Sequence, residues 1–159
     1  MPFTIIESPD QLIIGFSTPI VVPSNPSEFP AMSDKKLQQL EVLKKDKAQL
    51  MEYALDTHFY AVNNASSGDP NYLVGVKASS KDPNQESFTV PTGSYAIFKT
   101  TVKNRIEADQ FIGASYGEVY QSAEFQINGN FNVEVVDDFI QDSAVEFSVW
   151  IPVADKVQF

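Results

Sequence analysis

The sequence predicts an α+β fold made of two strand-helix-strand-strand repeats. Three observations lead there. Two stretches, within residues 34–55 and 106–122, carry the signs of amphipathic helices. Each is preceded by a strand pattern and followed by two more, and clusters of Gly, Pro, Asn, Asp and Ser separate the elements. The two halves share no evident sequence identity, so the repeat is one of element order alone.

Taken in order, residues 3–22 read as a strand interrupted at Ser8-Pro9-Asp10 and resumed at Leu12-Ile13-Ile14-Gly15-Phe16. Residues 22–30 hold three prolines and read as a loop. Ser33 or Asp34 can cap a first helix running to about Leu55, with Leu37, Leu40, Leu43, Leu50 and Met51 forming its apolar stripe. Lys35, Lys36, Lys44, Lys45 and Lys47 place five of the eleven basic residues on this helix. Glu41, Asp46 and Glu52 interleave with them, so the pattern is that of a solvated face, not a nucleic-acid patch. Strands at 58–62 and 72–78 follow, joined by a turn-rich segment at 63–70, and a polar loop spans 79–85. The second half supplies a strand over 87–102, a helix over 106–122, the turn Asn128-Gly129-Asn130, a strand over 131–136 and a last strand over 144–153. Asp137-Asp138 and Gln141-Asp142 mark the connection between those last two strands.

Composition narrows the function classes. A chain of 159 residues with 43% hydrophobic and 20% charged residues suits one globular domain, 1–159. No apolar run reaches the roughly 18 residues of a membrane span. The start, Met1-Pro2-Phe3-Thr4-Ile5-Ile6-Glu7, lacks the basic and apolar regions of a secretory signal. Cysteine is absent, which excludes disulfides, thiolate zinc sites and cysteine nucleophiles and suits a cytoplasmic protein. A net charge of −10 opposes direct contact with nucleic-acid phosphates and favours cationic ligands or basic partners. With a single histidine, His58, a Ser-His-Asp set has no support, and Asp137, Asp138 and Asp142 do not have calcium-loop spacing. No metal or cofactor is expected.

Two further features point to a binding site. Pro91-Thr92-Gly93-Ser94-Tyr95-Ala96-Ile97-Phe98 is a Pro-x-Gly turn that launches an apolar strand. In Phe131-Asn132-Val133-Glu134-Val135-Val136, a lone carboxylate sits among strand residues, with Asn132, Glu134 and Val136 sharing one face. Burying that charge unpaired costs several kcal/mol, so Glu134 either faces water at a strand edge or meets an opposite charge. Trp150, the single tryptophan, reads as core, as a groove wall, or as both.

The Pro91-x-Gly93-x-Tyr95-Ala96-x-Phe98 segment, the Glu134 strand and the closing Trp150-Ile151-Pro152-Val153 resemble, in order and spacing, the GyrI-like small-molecule-binding domains. These domains also form the effector-binding half of multidrug-responsive AraC-type and MerR-type transcription activators. The resemblance implies a pseudo-twofold pair of repeats forming one curved antiparallel sheet, with both helices on its concave side and a ligand groove between the repeats. It also implies that Glu134 is a buried counter-charge for a cationic aromatic ligand. Trp150, Val136, Tyr116, Phe111 and Tyr60 become candidate ligand contacts by the same analogy. The sequence departs from the family pattern at Val136, where an aromatic is common. It departs again at Ser148, where an acidic residue is common and Glu146 lies further upstream. A haem-binding family shares the broad fold, but His58 at a helix-to-strand junction reads as an ordinary structural histidine.

Three roles are consistent with the resemblance. The first is a stand-alone binder of cationic or amphipathic aromatic compounds. The second is a hydrolase of reactive cyclopropane-bearing compounds that uses Glu134 as general base or electrostatic stabiliser, with Tyr116 or Tyr60 as proton partner. The third is a partner-protein inhibitor, as in the gyrase-inhibiting members. An exposed apolar groove would also suit a homodimer.

Overall fold

In a computed structural model of the chain, which describes residues 3–21, 23–66, 68–136 and 144–156, both predicted helices and every predicted strand are present. The expectations placed on Asp137, Asp138, Gln141 and Asp142 lie outside the described residues. The strands are β1 (Thr4–Ser8), β2 (Gln11–Pro19), β3 (Phe59–Asn64), β4 (Asn71–Ala78), β5 (Glu86–Val90), β6 (Gly93–Val102), β7 (Phe125–Ile127), β8 (Phe131–Val136) and β9 (Val145–Asp155). The helices are α1 (Phe29–Met51) and α2 (Arg105–Gln121).

Four features differ from expectation, the first being that α1 ends at Met51, short of Leu55, where the chain leaves the helix and Ala54 bridges Ala78. The strand expected over 87–102 is two strands, because Pro91 donates no hydrogen bond and breaks the ladder. Helix α1 begins four residues before Ser33, since Pro30 fits a first turn, where its missing N–H costs nothing. Ser33 is therefore no cap but an interior helix residue. Strand β7 carries no alternating pattern of its own and pairs only with β9. Asn104 caps α2 as a boundary residue should: its side chain accepts from Glu107 N at 2.9 Å, and Glu107 reaches back to Lys103 N at 3.1 Å.

All pairings are antiparallel, in the order β1-β6-β9-β8-β3-β4-β2-β5. The inner six strands read the same when the repeats are exchanged: β6 answers β2, β9 answers β4, and β8 answers β3. The outer strands are traded. β1, which leads into β2, pairs with β6 of the other repeat, and β5, which leads into β6, pairs with β2. Each trade happens at a proline, Pro9 or Pro91. The two crossings are tied where Asp10 Oδ1 accepts from Thr92 N at 2.6 Å and from Thr92 Oγ1 at 2.8 Å. The two ends of the strand order therefore meet, and the sheet is a curled half-barrel.

Both helices pack on one face. Leu40, Leu43 and Leu50 of α1 bury against Ile14, Val74 and Val76, while Ala108, Ile112 and Val119 of α2 bury against Phe98, Val136 and Val149. On the opposite face, Phe88 and Phe131 lie four strands apart in the order, roughly 19 Å in a flat sheet. Their ring centroids are 5.2 Å apart. The helix-free face thus has a hollow of its own, and Tyr95, Val90 and Ile13 fill its closed end.

Gly15 and Gly75 face each other across β2 and β4, and a Cβ at Gly75 would lie 1.7 Å from Ile14 O. Gly75→Ala is expected to cost at least about 1–3 kcal/mol, read as a lower urea midpoint. Gly113→Ala on α2, where a Cβ meets nothing within 4 Å, is expected to stabilise by about 0.5–1 kcal/mol. Equal midpoints for the two variants would remove the close approach as the reason for glycine at position 75.

Candidate functional site

Strand alternation divides the six candidate residues between the two faces. Glu134 and Val136 of β8 point to the helix side, where Phe111 and Tyr116 of α2 also pack. Tyr60 of β3 and Trp150 of β9 point to the helix-free side. The structure therefore brings together two separate groups.

On the helix side, Glu134 is fully buried and already has a cation. Arg105 Nη1 donates to its Oε1 at 2.6 Å, Tyr72 OH donates to Oε1 at 3.1 Å, and Asn63 Nδ2 donates to Oε2 at 2.6 Å. Arg105 uses its other nitrogens on Asp109 of its own helix, one turn on: Nη2 to Oδ1 at 2.7 Å and Nε to Oδ2 at 3.2 Å. Asp109 then accepts from two α1 residues, Lys36 Nζ at 2.9 Å and Ser33 Oγ at 2.7 Å. Two cations and two carboxylates, each with a side chain no more than 5% exposed, form one closed set. Asn132 extends it, accepting from Asn63 Nδ2 at 2.8 Å and donating to Tyr116 OH at 3.2 Å.

The electrostatics follow from burial and neighbours. Burial alone would raise the Asp109 carboxyl, but Arg105 and Lys36 outweigh it and hold it below its ordinary value. Burial pushes the Lys36 ammonium down, against the pull of Glu134. Burial likewise works against charged Arg105, yet the carboxylates of Glu134 and Asp109 hold the guanidinium protonated well above its ordinary range. Burial raises the Tyr72 and Tyr116 hydroxyls, so both remain neutral.

Sequence reasoning missed Arg105, Asp109, Tyr72 and Asn63, and it placed Lys36 on a solvated face although the residue is 4% exposed. One signal was available. Arg105 is the only arginine in the chain and stands four residues before Asp109, a spacing that puts both on one helix face.

On the helix-free side, the hollow has a volume of about 780 Å³. Ile6, Ile97, Tyr60, Val135 and Trp150 form its apolar part, while Thr4, Lys99, Thr101, Glu146, Ser148 and His58 supply its polar lining. Tyr60 is held from behind: its hydroxyl donates to Asp56 Oδ2 at 2.6 Å, and Lys77 Nζ stands 5.2 Å from its ring centroid. Trp150 packs against Tyr95 with centroids 6.0 Å apart. Both rings are thus braced on protein, and Trp150 is half-buried. Such an arrangement can take up a flat or globular aromatic body without moving its walls. Among the described residues, no three His, Cys, Asp or Glu side chains gather as a metal site, and no helix is long and apolar enough to cross a membrane.

Asp109→Asn is expected to lower stability by about 3–5 kcal/mol at pH 7, since it leaves Lys36 and Arg105 short of a buried counter-charge. In the wild type the folded Asp109 stays ionised where the unfolded chain has begun to bind a proton, below about pH 4. Stability from this group is therefore complete above that range and is lost as pH falls through the depressed folded value. Urea midpoints measured from pH 7 to pH 3 should converge for wild type and variant. A constant gap would show that Asp109 does not carry the acid limb.

Comparison with known proteins places this geometry in context. Over residues 4–153 the chain matches the model of a family described as Cass2, integron-associated effector binding protein. No curated protein matches it in sequence. Among solved structures it is similar to SAV2435 bound to tetraphenylphosphonium, at 13% identity and TM-score 0.71, covering 97% of this chain and 94% of that one. It is also similar to a putative bacterial transcription regulation protein from Staphylococcus aureus MU50, at 12% identity and TM-score 0.66, with 96% and 98% covered. A third is the integron cassette protein VCH_CASS2 from the mobile metagenome of Vibrio cholerae, at 15% identity and TM-score 0.59, with 96% and 95% covered. At these identities the structures share the fold, and with the family match spanning nearly its whole length, the chain belongs to the Cass2 family of integron-associated effector binding proteins, GyrI-like in architecture.

Proposed function

We propose that the chain binds cationic or amphipathic aromatic small molecules in the hollow on the helix-free face. The observation that carries this reading is the braced pair of aromatic walls, Tyr60 and half-buried Trp150, around about 780 Å³ of space. That volume lies within the range of roughly 300–1,000 Å³ typical of small-molecule sites. The effector-binding family and a structural neighbour bound to tetraphenylphosphonium support the ligand class. The net charge of −10 draws cations toward the molecule, and an aromatic face adds about 0.5–2 kcal/mol of cation–π attraction per contact. In this reading Tyr60 and Trp150 meet the ligand. Glu134 keeps Arg105 as its partner, and Val136, Phe111 and Tyr116 support the sheet from the helix side. A cytoplasmic setting suits a chain without cysteine.

Trp150 serves as the probe. Titration with tetraphenylphosphonium is expected to quench its emission saturably, with affinity at least about tenfold weaker, or roughly 1.4 kcal/mol, in Tyr60→Ala. Glu134→Gln is expected to lower stability and leave affinity within about twofold, since the carboxylate lies across the sheet from the hollow. Loss of affinity in Glu134→Gln with the fold intact by circular dichroism would move the site to the helix side. No quenching in the wild type would reject the reading.

A further inference from the structure

The hollow holds two opposite charges that the described residues leave unanswered. Lys99 on β6 stands directly opposite Ser148 on β9, and Glu146 on β9 stands directly opposite Thr101 on β6. Lys99 and Glu146 are therefore diagonal neighbours on one face, and both line the hollow. Diagonal partners of this kind sit about 7–8 Å apart at the backbone, close enough for long side chains to meet. Even so, among the described residues neither makes an ion pair within 4.0 Å.

The charges nearby are satisfied differently. Behind Tyr60, Lys77 Nζ lies 3.9 Å from Asp56 Oδ2, and across the sheet Arg105, Lys36, Asp109 and Glu134 close their own set. His58 packs edge-on against Tyr60, with ring centroids 6.4 Å apart. Lys99 and Glu146 thus have no ion-pair partner among the described residues, and they line the same hollow as the aromatic walls. A purely cationic ligand is attracted by Glu146 and repelled by Lys99. A ligand carrying both charges satisfies the two together, while its ring system rests on Tyr60 and Trp150.

Resting on the hollow as the binding site, we infer that its ligand is an aromatic zwitterion, held with its cationic group toward Glu146 and its anionic group toward Lys99. The hydroxyls of Ser148 and Thr101, between the two charges on the same face, are placed to accept or donate to its polar middle.

Two dyes with one xanthene core separate the alternatives. Rhodamine B has a free carboxylate and is zwitterionic at neutral pH, whereas rhodamine 6G is an ester and purely cationic. Dye anisotropy is followed on wild type, Lys99→Met, Glu146→Gln and Tyr60→Ala, with thermal melts to confirm folding. Lys99→Met is expected to weaken rhodamine B at least about fivefold and to leave rhodamine 6G unchanged or tighter. Glu146→Gln is expected to weaken both dyes about threefold or more. If Lys99→Met treats both dyes alike, or Glu146→Gln affects neither, the charge assignment falls. The hollow itself still stands if Tyr60→Ala abolishes binding. Failure of wild type to bind either dye overturns both the assignment and the site.

Discussion

The guanidinium of Arg105 joins the two helices and the centre of the sheet. One nitrogen reaches Glu134 on β8 and two reach Asp109 on its own helix; Asp109 in turn holds Ser33 and Lys36 of α1. Charges this deeply buried are tolerable only as a complete set, because each ion loses several kcal/mol of hydration that its partners must offset. The set is complete here: two positive and two negative groups, with Tyr72, Asn63 and Ser33 supplying the remaining hydrogen bonds. Since its members come from α1, α2, β3, β4 and β8, both repeats must be in place before any of it is satisfied. That is a specificity device as much as a source of stability.

This network and the leucines of α1 occupy the helix face, and the hollow opens on the other face. The exchange of β1 and β5 between the repeats makes that possible. Each exchange occurs at a proline, and the bonds between Asp10 and Thr92 hold the two crossings together. Curling brings Phe88 against Phe131 and seals one end of the hollow with aromatic side chains. The other end stays open, with Tyr60 and Trp150 braced from behind by Asp56, Lys77 and Tyr95. Walls anchored on rigid strands lose little entropy when a ligand lands on them.

Much of the fold was legible in the chain. The α2 boundary was readable to within one residue, with Asn104 and Glu107 forming a capping pair at its start. The strand patterns located β2, β4, β8 and β9 because their burial follows a period of two or a continuous apolar run. The start of α1 was missed, since prolines in a first helical turn look the same as prolines in a loop. Of the candidate site, Tyr60 and Trp150 line the hollow, whereas Phe111, Tyr116, Val136 and Glu134 lie across the sheet. Lys36 was unreadable for a physical reason: a lysine among lysines on a helix gives no sign that its hydrogen-bond partner is an aspartate 73 positions away.

By itself, then, the sequence determined the order of the two helices and their main flanking strands, the two repeats and the presence of a lone carboxylate, Glu134, in an apolar strand. Those follow from periodicity, turn chemistry and residue type, which act over a few neighbouring positions. Only the tertiary structure decided which charge answers Glu134, which strands trade places, and on which face the hollow opens. Each of these depends on groups far apart in the chain being desolvated together, and a local pattern carries no record of its distant partner.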